Sequence, residues 1–244
     1  MNELTRFRLE EGQARPAAAL AERQASEREI AERIVAAVMD HRLPAGTKLG
    51  ENALCQAFDT TRARVRRVLL MLSERGIVEL QSNRGAFVAS PTREDARNVF
   101  QARCVVEPPI IRTAVQRLSD AQIDALAEHV AQEEAAERRG DRREMIRLSG
   151  LFHVSLATFA GNPVLKRIVE DLVARSSLII GLFGRSHMTT CSDHEHAALL
   201  DAIRARNAKE APGMMIEHLN RIERELELGN KPEKAIDLKR VFAG

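Results

Sequence analysis

The 244-residue chain contains no tryptophan and no tyrosine, so eight phenylalanines supply all of its aromatic side chains. Indole fluorescence cannot report ligand binding in such a protein. Cysteine is scarce as well. Cys55, Cys104 and Cys191 are odd in number, widely spaced and form no Cys-x-x-Cys pair. That pattern argues against a disulfide framework or a cysteine zinc site and fits free thiols used for packing in a reducing cytoplasm. No stretch approaches the roughly 20 apolar residues of a membrane span, and the amino terminus lacks the cationic-then-apolar order of a signal peptide. A cytoplasmic protein without a membrane partner is expected. Excess charge is missing too: 37 basic against 35 acidic residues leave a formal +2, so any nucleic-acid footprint has to be local.

What the chain does have is length for two ordinary domains. Residues 1–25 mix Arg, Glu, Gln and an alanine run without a sustained apolar face and read as a tail. Ser26 with Glu29 resembles a capping box, and Ile30, Ile34, Val35 and Val38 recur at helical spacing until Leu43-Pro44-Ala45-Gly46. A second helix is expected around Glu51 to Phe58 and a third from about Thr61 to Arg75, with Gly76 at its end. Ile77-Val78-Glu79-Leu80 and Ala86-Phe87-Val88 then alternate as strands around Ser82-Asn83-Arg84-Gly85, which is turn chemistry. Three helices and a hairpin make a winged helix-turn-helix over residues 26–89.

The third helix carries Arg62, Arg64, Arg66 and Arg67 within six positions. On a helical wheel Val65, Val68, Leu69 and Leu72 form a buried stripe, Arg62 and Arg66 lie at its edge, and Arg67 faces away. In a helix-turn-helix such a helix enters the major groove by its amino-terminal end, where guanidinium groups hydrogen-bond guanine edges or clamp phosphates. A solvated arginine face is the alternative meaning of the run.

Pro44, Gly46, Leu49, Glu51, Thr61-Arg62, Val65-Arg66, Leu69, Leu72, Gly76-Ile77-Val78 and Asn83-Arg84-Gly85 fall in order on one pattern. In these residues the chain resembles the winged-helix domain of the GntR family of bacterial transcription regulators. The resemblance implies that Arg62 and Arg66 contact bases and phosphates, and that Arg84-Gly85 sets the wing against the minor groove. Thr61, Arg64, Arg67 and Asn52 complete the expected DNA-facing set. Arg67 stands where the family usually has glutamate, and Asn52 where some members carry a base-reading arginine.

Ser90-Pro91-Thr92 begins a linker over residues 90–93. Beyond it the chain reads as an all-helical bundle over 94–230, of about six or seven helices, followed by a tail over 231–244. Breaks are expected near Asp120, Gly140-Asp141, Gly161-Asn162-Pro163, residues 184–193, Pro212-Gly213 and Gly229. Three of the seven histidines point inward: His153 beside Leu156 and Ala157, His196 among Leu199, Leu200 and Ile203, and His218 on the stripe of Met215, Leu219 and Ile222. His41, His129, His187 and His194 lack that placement. Inward imidazoles can be hydrogen-bonded core residues or can converge on a metal ion as neutral ligands. Arg103 and Glu107, four apart on one face, read either as an intrahelical salt bridge or as a guanidinium aimed into a cavity.

Arg103-x-x-x-Glu107, Phe152-His153-x-x-Leu156, Gly161-Asn162-Pro163, Glu195-His196 through Ile203 and Met215-x-x-His218-Leu219 resemble the FCD ligand-binding domain of the FadR-type branch of that family. The resemblance implies a divalent metal, zinc or nickel, held by His153, His196 and His218 and an aspartate four residues before the first, and a small carboxylate effector beside it. Here that fourth position is Ser149, a poor ligand for a divalent ion. Either three imidazoles with water or effector oxygen suffice, or the site is metal-free and the histidines hold the anion directly. Effector contacts are expected from Arg103, Ser149, His153, His196 and His218.

The expected protein is thus a mainly α regulator, more often a repressor in this family, that binds a palindromic operator in double-stranded DNA as a homodimer. A metalloenzyme is the rival, since an open three-histidine site could activate water. Against it, the chain has no HExxH, no appropriately placed glutamate beside His153 and no nucleophile elbow, and Glu195 sits on a spoke adjacent to His196 and is poorly aimed. A purely architectural DNA-binding protein would not need the inward polar residues of the helical domain.

Overall fold

A computed structural model describes residues 25–184 and 195–228. Within them the first helix, α1 (Glu27–Met39), starts on the expected capping box. Ser26 Oγ accepts from the Glu29 amide at 3.2 Å while the Glu29 carboxylate accepts from the Ser26 amide at 2.7 Å. It buries Ile30, Ile34, Val35 and Val38 against α3 (Arg62–Glu74), which contributes Val65, Val68, Leu69 and Leu72; α2 (Glu51–Phe58) lies between them in the chain. Strands β2 (Val78–Gln81) and β3 (Gly85–Val88) form the hairpin, with Leu80 opposite Ala86. Its tip needs left-handed backbone: Asn83 has φ 58° and Gly85 φ 96°, conformations that Asn tolerates and Gly adopts freely. A third strand, β1 (Lys48–Leu49), pairs antiparallel with β3 and gives the order β1-β3-β2. Two residues are too few to alternate visibly, so the sequence pattern does not reveal it.

Six helices follow: α4 (Arg93–Arg117), α5 (Asp120–Arg138), α6 (Arg142–Phe159), α7 (Pro163–Phe183), α8 (Glu195–Arg204) and α9 (Ala211–Glu225). Most begin on a recognisable cap. Thr92 with Asp95 and Ser119 with Gln122 make capping boxes, Asp141 accepts from the Glu144 amide, and Asn162 accepts from two amides ahead of a first-turn proline. The helix α4 continues through Pro108 and Pro109, although each proline removes a backbone donor. The break expected at Pro212-Gly213 is displaced: α8 ends at Arg204 and α9 opens at Ala211, so Pro212 occupies a first turn, where its missing N–H was never going to bond. Residues 1–24, the stretch 185–194 with His187, Cys191 and His194, and residues 229–244 lie outside the described residues.

The winged helix and the bundle share one apolar core rather than meeting across a polar seam. Ser177 Oγ on α7 donates to the Met39 carbonyl at the end of α1 at 3.3 Å. Arg75, past the end of α3, pairs with Asp171 of α7 at 2.6 Å. Gly150 on α6 lets these helices close up: a Cβ there would stand 2.8 Å from Val173 Cγ1 and 3.4 Å from Met39 Cε.

Leu72 is fully buried in the winged-helix core. Its replacement by alanine is expected to cost about 2–5 kcal/mol of unfolding free energy, read by urea titration with far-ultraviolet circular dichroism; a loss under ~1 kcal/mol would mean the site collapses around the smaller side chain.

Candidate functional site

The outward face of α3 is cationic because its inward face is fully used by Val65, Val68, Leu69 and Leu72. Arg62, Arg66 and Arg67 are exposed, and Arg64 is half-buried with a guanidinium nitrogen 3.5 Å from the Thr60 hydroxyl. Thr61 caps the helix, its hydroxyl accepting from the Arg64 amide at 3.4 Å. Asn52 is exposed in the first turn of α2, and Arg84 at the wing tip lies 5.7 Å from the Phe87 ring. Sequence reasoning missed two carboxylates here: Glu51 meets Arg66 Nε at 2.8 Å and Glu27 meets Arg67 at 2.6 Å. Hydrogen bonds from those arginines hold both carboxyls below their ordinary range. Arg67, where the GntR pattern usually has an acid, is thus matched by an acid on α1.

The three inward histidines do converge. His218 Nε2 lies 3.2 Å from His196 Nε2 and 3.3 Å from His153 Nε2, and all three rings are buried. They arrive from α6, α8 and α9, each on the stripe that its helix packs inward. Phe152 stacks on His196 with ring centres 4.0 Å apart.

Each outward ring nitrogen meets its own carboxylate, a feature absent from the sequence reading. Glu107 of α4 stands 2.5 Å from His153 Nδ1, off the ideal hydrogen-bond line, Glu133 of α5 stands 2.7 Å from His196 Nδ1, and Glu195 of α8 stands 2.6 Å from His218 Nδ1. The reading of Glu195 as poorly aimed at His196 holds, and the glutamate beside His153 comes from another helix. Glu107 does abut His153, and Glu195 serves the histidine of the neighbouring helix rather than His196. Both sit behind the rings, on the side away from the convergence point.

Protonation follows from burial. Burial lowers His153 to about 4 against the pull of Glu107, and His218 to about 3 against the pull of Glu195. Burial would raise the carboxyls, but His196 and His129 bring Glu133 down to about 2, and His218 with Arg221 bring Glu195 to about 2. Against the same burial, Arg103 and His153 hold Glu107 well below the carboxylate range. Neutral His153 and His218 turn Nδ1 toward their carboxylates and Nε2 inward. The inward Nε2 atoms stand at hydrogen-bond distance from one another, where a proton or a metal ion between them offsets lone-pair repulsion.

Around this centre stand two guanidinium groups. Arg221 grips Glu195 with two nitrogens, each at 2.6 Å. Arg103 bonds Glu107 at 2.5 Å and Ser176 Oγ at 3.3 Å, while its Nη2, buried, has no hydrogen-bond partner among the described residues. The salt-bridge reading of the Arg103–Glu107 spacing holds, and it leaves one Arg103 donor unspent. Ser149 is buried one turn before His153. His129 is not in the inner trio but braces it, its Nε2 2.8 Å from the Leu148 carbonyl and 3.2 Å from Glu133. Cys104 is half-buried, 3.5 Å from Asn220 Oδ1, and belongs to neither site.

With this geometry in hand, residues 26–88 match the family described as bacterial regulatory proteins, gntR family, and residues 98–221 match the FCD domain. The HTH-type transcriptional regulator LutR of Bacillus subtilis is 23% identical over 203 residues, covering 74% of this chain and 92% of that protein. The HTH-type transcriptional repressor NanR of Citrobacter rodentium is 28% identical over 194 residues, covering 70% and 74%. Among solved structures, a GntR transcriptional regulator from Rhodococcus sp. RHA1 shares the fold with a TM-score of 0.69 at 22% identity, covering 81% of this chain and 95% of that one.

The buried pairs set a pH dependence. His153 and His218 protonate near 6.5 when unfolded but only near 4 and 3 when folded, and Glu133 and Glu195 near 4.5 when unfolded but near 2 when folded. Through both windows the unfolded chain holds more protons, so stability falls with falling pH. Urea titrations of chelator-treated protein are expected to show little change in these groups' contribution above about pH 7 and a progressive loss below about pH 6.5; a stability maximum below about pH 6 would contradict the protonation pattern.

Proposed function

The chain belongs to the GntR family of bacterial regulatory proteins and carries an FCD domain, and from that premise we propose that it is a repressor whose grip on operator DNA is set by a small carboxylate bound at a metal centre of three histidines. As a transcription regulator of this family it binds DNA through its winged helix and a small-molecule effector through its helical domain. Residues 26–89 form the DNA-binding part and 94–230 the effector and dimerisation part, joined by 90–93.

One observation carries the metal reading: three buried Nε2 atoms face one another while three carboxylates occupy the opposite nitrogens. A tetrahedral ion with bonds of ~2.1 Å spaces its ligands by about 3.4 Å, close to the 3.2 and 3.3 Å between these nitrogens. The donor set fits a divalent ion such as zinc or nickel, held by His153, His196 and His218, and such an ion would supply a Lewis-acid anchor for a carboxylate oxygen. The chain's own residues complete the pocket. Arg103 Nη2 offers an unspent, charge-assisted donor to an anion, and Ser149 lies on the same buried face as His153. The three glutamates turn the imidazoles, and all three rings are buried.

On the DNA side, Arg62, Arg64, Arg66 and Arg67 with Thr61 and Asn52 meet the major groove, and Arg84-Gly85 the minor groove. Two copies related by a two-fold axis place two such helices on successive half-sites, which makes a homodimer the working unit in the cytoplasm. The repressor direction follows the description of NanR as a repressor. The effector acts by its difference in affinity for two arrangements of the winged helices.

Mass spectrometry of freshly purified protein is expected to find near-stoichiometric zinc or nickel that is lost in a His196→Ala variant; absence from both, even after adding metal back, would leave the histidines as direct anion holders. In gel-shift titrations, Arg66→Ala is expected to weaken specific operator binding by roughly 1–3 kcal/mol, and an unchanged affinity would remove Arg66 from the contact set.

A further inference from the structure

We infer that Glu133 is the positioning residue that supplies the metal centre with the negative charge its three ligands lack; the inference rests on the metal reading above. Three neutral imidazoles bring no charge to a divalent ion, and position 149, buried one turn before His153, is a serine and contributes none. Carboxylates stand only one residue further out, and two of the three are already matched. Glu107 is bonded to the Arg103 guanidinium at 2.5 Å, and Glu195 is gripped by Arg221 at two points.

Glu133 differs. It is 6% exposed, and its close partners among the described residues are two imidazoles, His196 Nδ1 at 2.7 Å and His129 Nε2 at 3.2 Å. The His129 Nε2 is committed to the Leu148 carbonyl at 2.8 Å, so Glu133 Oε1 accepts no hydrogen bond. No guanidinium or ammonium group among the described residues forms an ion pair with it. A buried carboxylate without a fixed cation is costly, and so is a buried dication on neutral ligands. Joined through the His196 ring, each offsets the other: the carboxylate polarises the imidazole, and the ring's Nε2 becomes the stronger donor. In this chain an anion behind the ring takes the place of an anion among the ligands.

The test is a double-mutant cycle on zinc affinity, read by competition with a chromophoric chelator on the full chain. Glu133→Gln keeps an acceptor for the His196 Nδ1–H and removes the charge; it is expected to weaken zinc by about 10–100-fold with the helical circular dichroism unchanged. Ser149→Asp is expected to strengthen zinc by a larger factor in the Glu133→Gln background than in the parent, because the new carboxylate supplies what the variant lost. Zinc affinity of Glu133→Gln within about threefold of the parent, a small fraction of the loss expected for such an outer partner, overturns the inference. Equal gains from Ser149→Asp in both backgrounds also overturn it, since the two charges would then act independently. A parent chain that binds no zinc removes the metal reading itself, an outcome distinct from a parent that binds zinc and a Glu133→Gln variant that binds it equally well.

Discussion

Three imidazoles and the carboxylates of Glu107 and Glu133 are buried inside an apolar bundle, with Glu195 part-exposed at its edge, and groups of that kind in such an environment depend on polar partners. The match is made pairwise and across helices: α4 serves α6, α5 serves α8, and α8 serves α9. The relative rotation of these helices is therefore fixed more narrowly than interdigitating leucines would fix it. A slip of one residue would carry each glutamate about 100° round its helix and strand an imidazole on the far side. What this arrangement gives up is the cheapness of a purely apolar core, and what it gains is a set of ring nitrogens with no freedom to turn.

The same economy appears in the winged helix. The arginines of α3 project because its other face is filled, but Glu51 and Glu27 already neighbour Arg66 and Arg67. These exposed pairs add little stability. They act as resident counterions to Arg66 and Arg67.

Much of this was legible from residue order. The Ser26–Glu29 cap, the limits of α2 and the turn at Asn83-Arg84-Gly85 are dictated by a few residues each, and the inward histidines show themselves by falling on leucine and isoleucine stripes. The carboxylates behind them do not. Glu107 reads as half of an i, i+4 salt bridge, Glu133 is one acid in a Glu-Glu run on a helix rich in polar residues, and Glu195 lies on the wrong spoke for its neighbour His196. Each finds its partner on another helix, and a contact between helices leaves no periodicity in either. Strand β1 was hidden for a related reason, since its partner β3 supplies the pattern that it is too short to carry. Pro212 misled in the other sense: proline marks a helix boundary without saying which side of it the helix occupies.

Ser176 bonds Arg103 beside the histidines, and Ser177 bonds the last carbonyl of the first helix of the winged domain. One peptide bond separates the two. A helix turns as a solid rod, so any rotation of α7 that follows Arg103 toward an anion carries Ser177 through the same angle. Two successive residues of α7 thus tie the histidine cluster's guanidinium and the first helix of the winged domain to one rigid element.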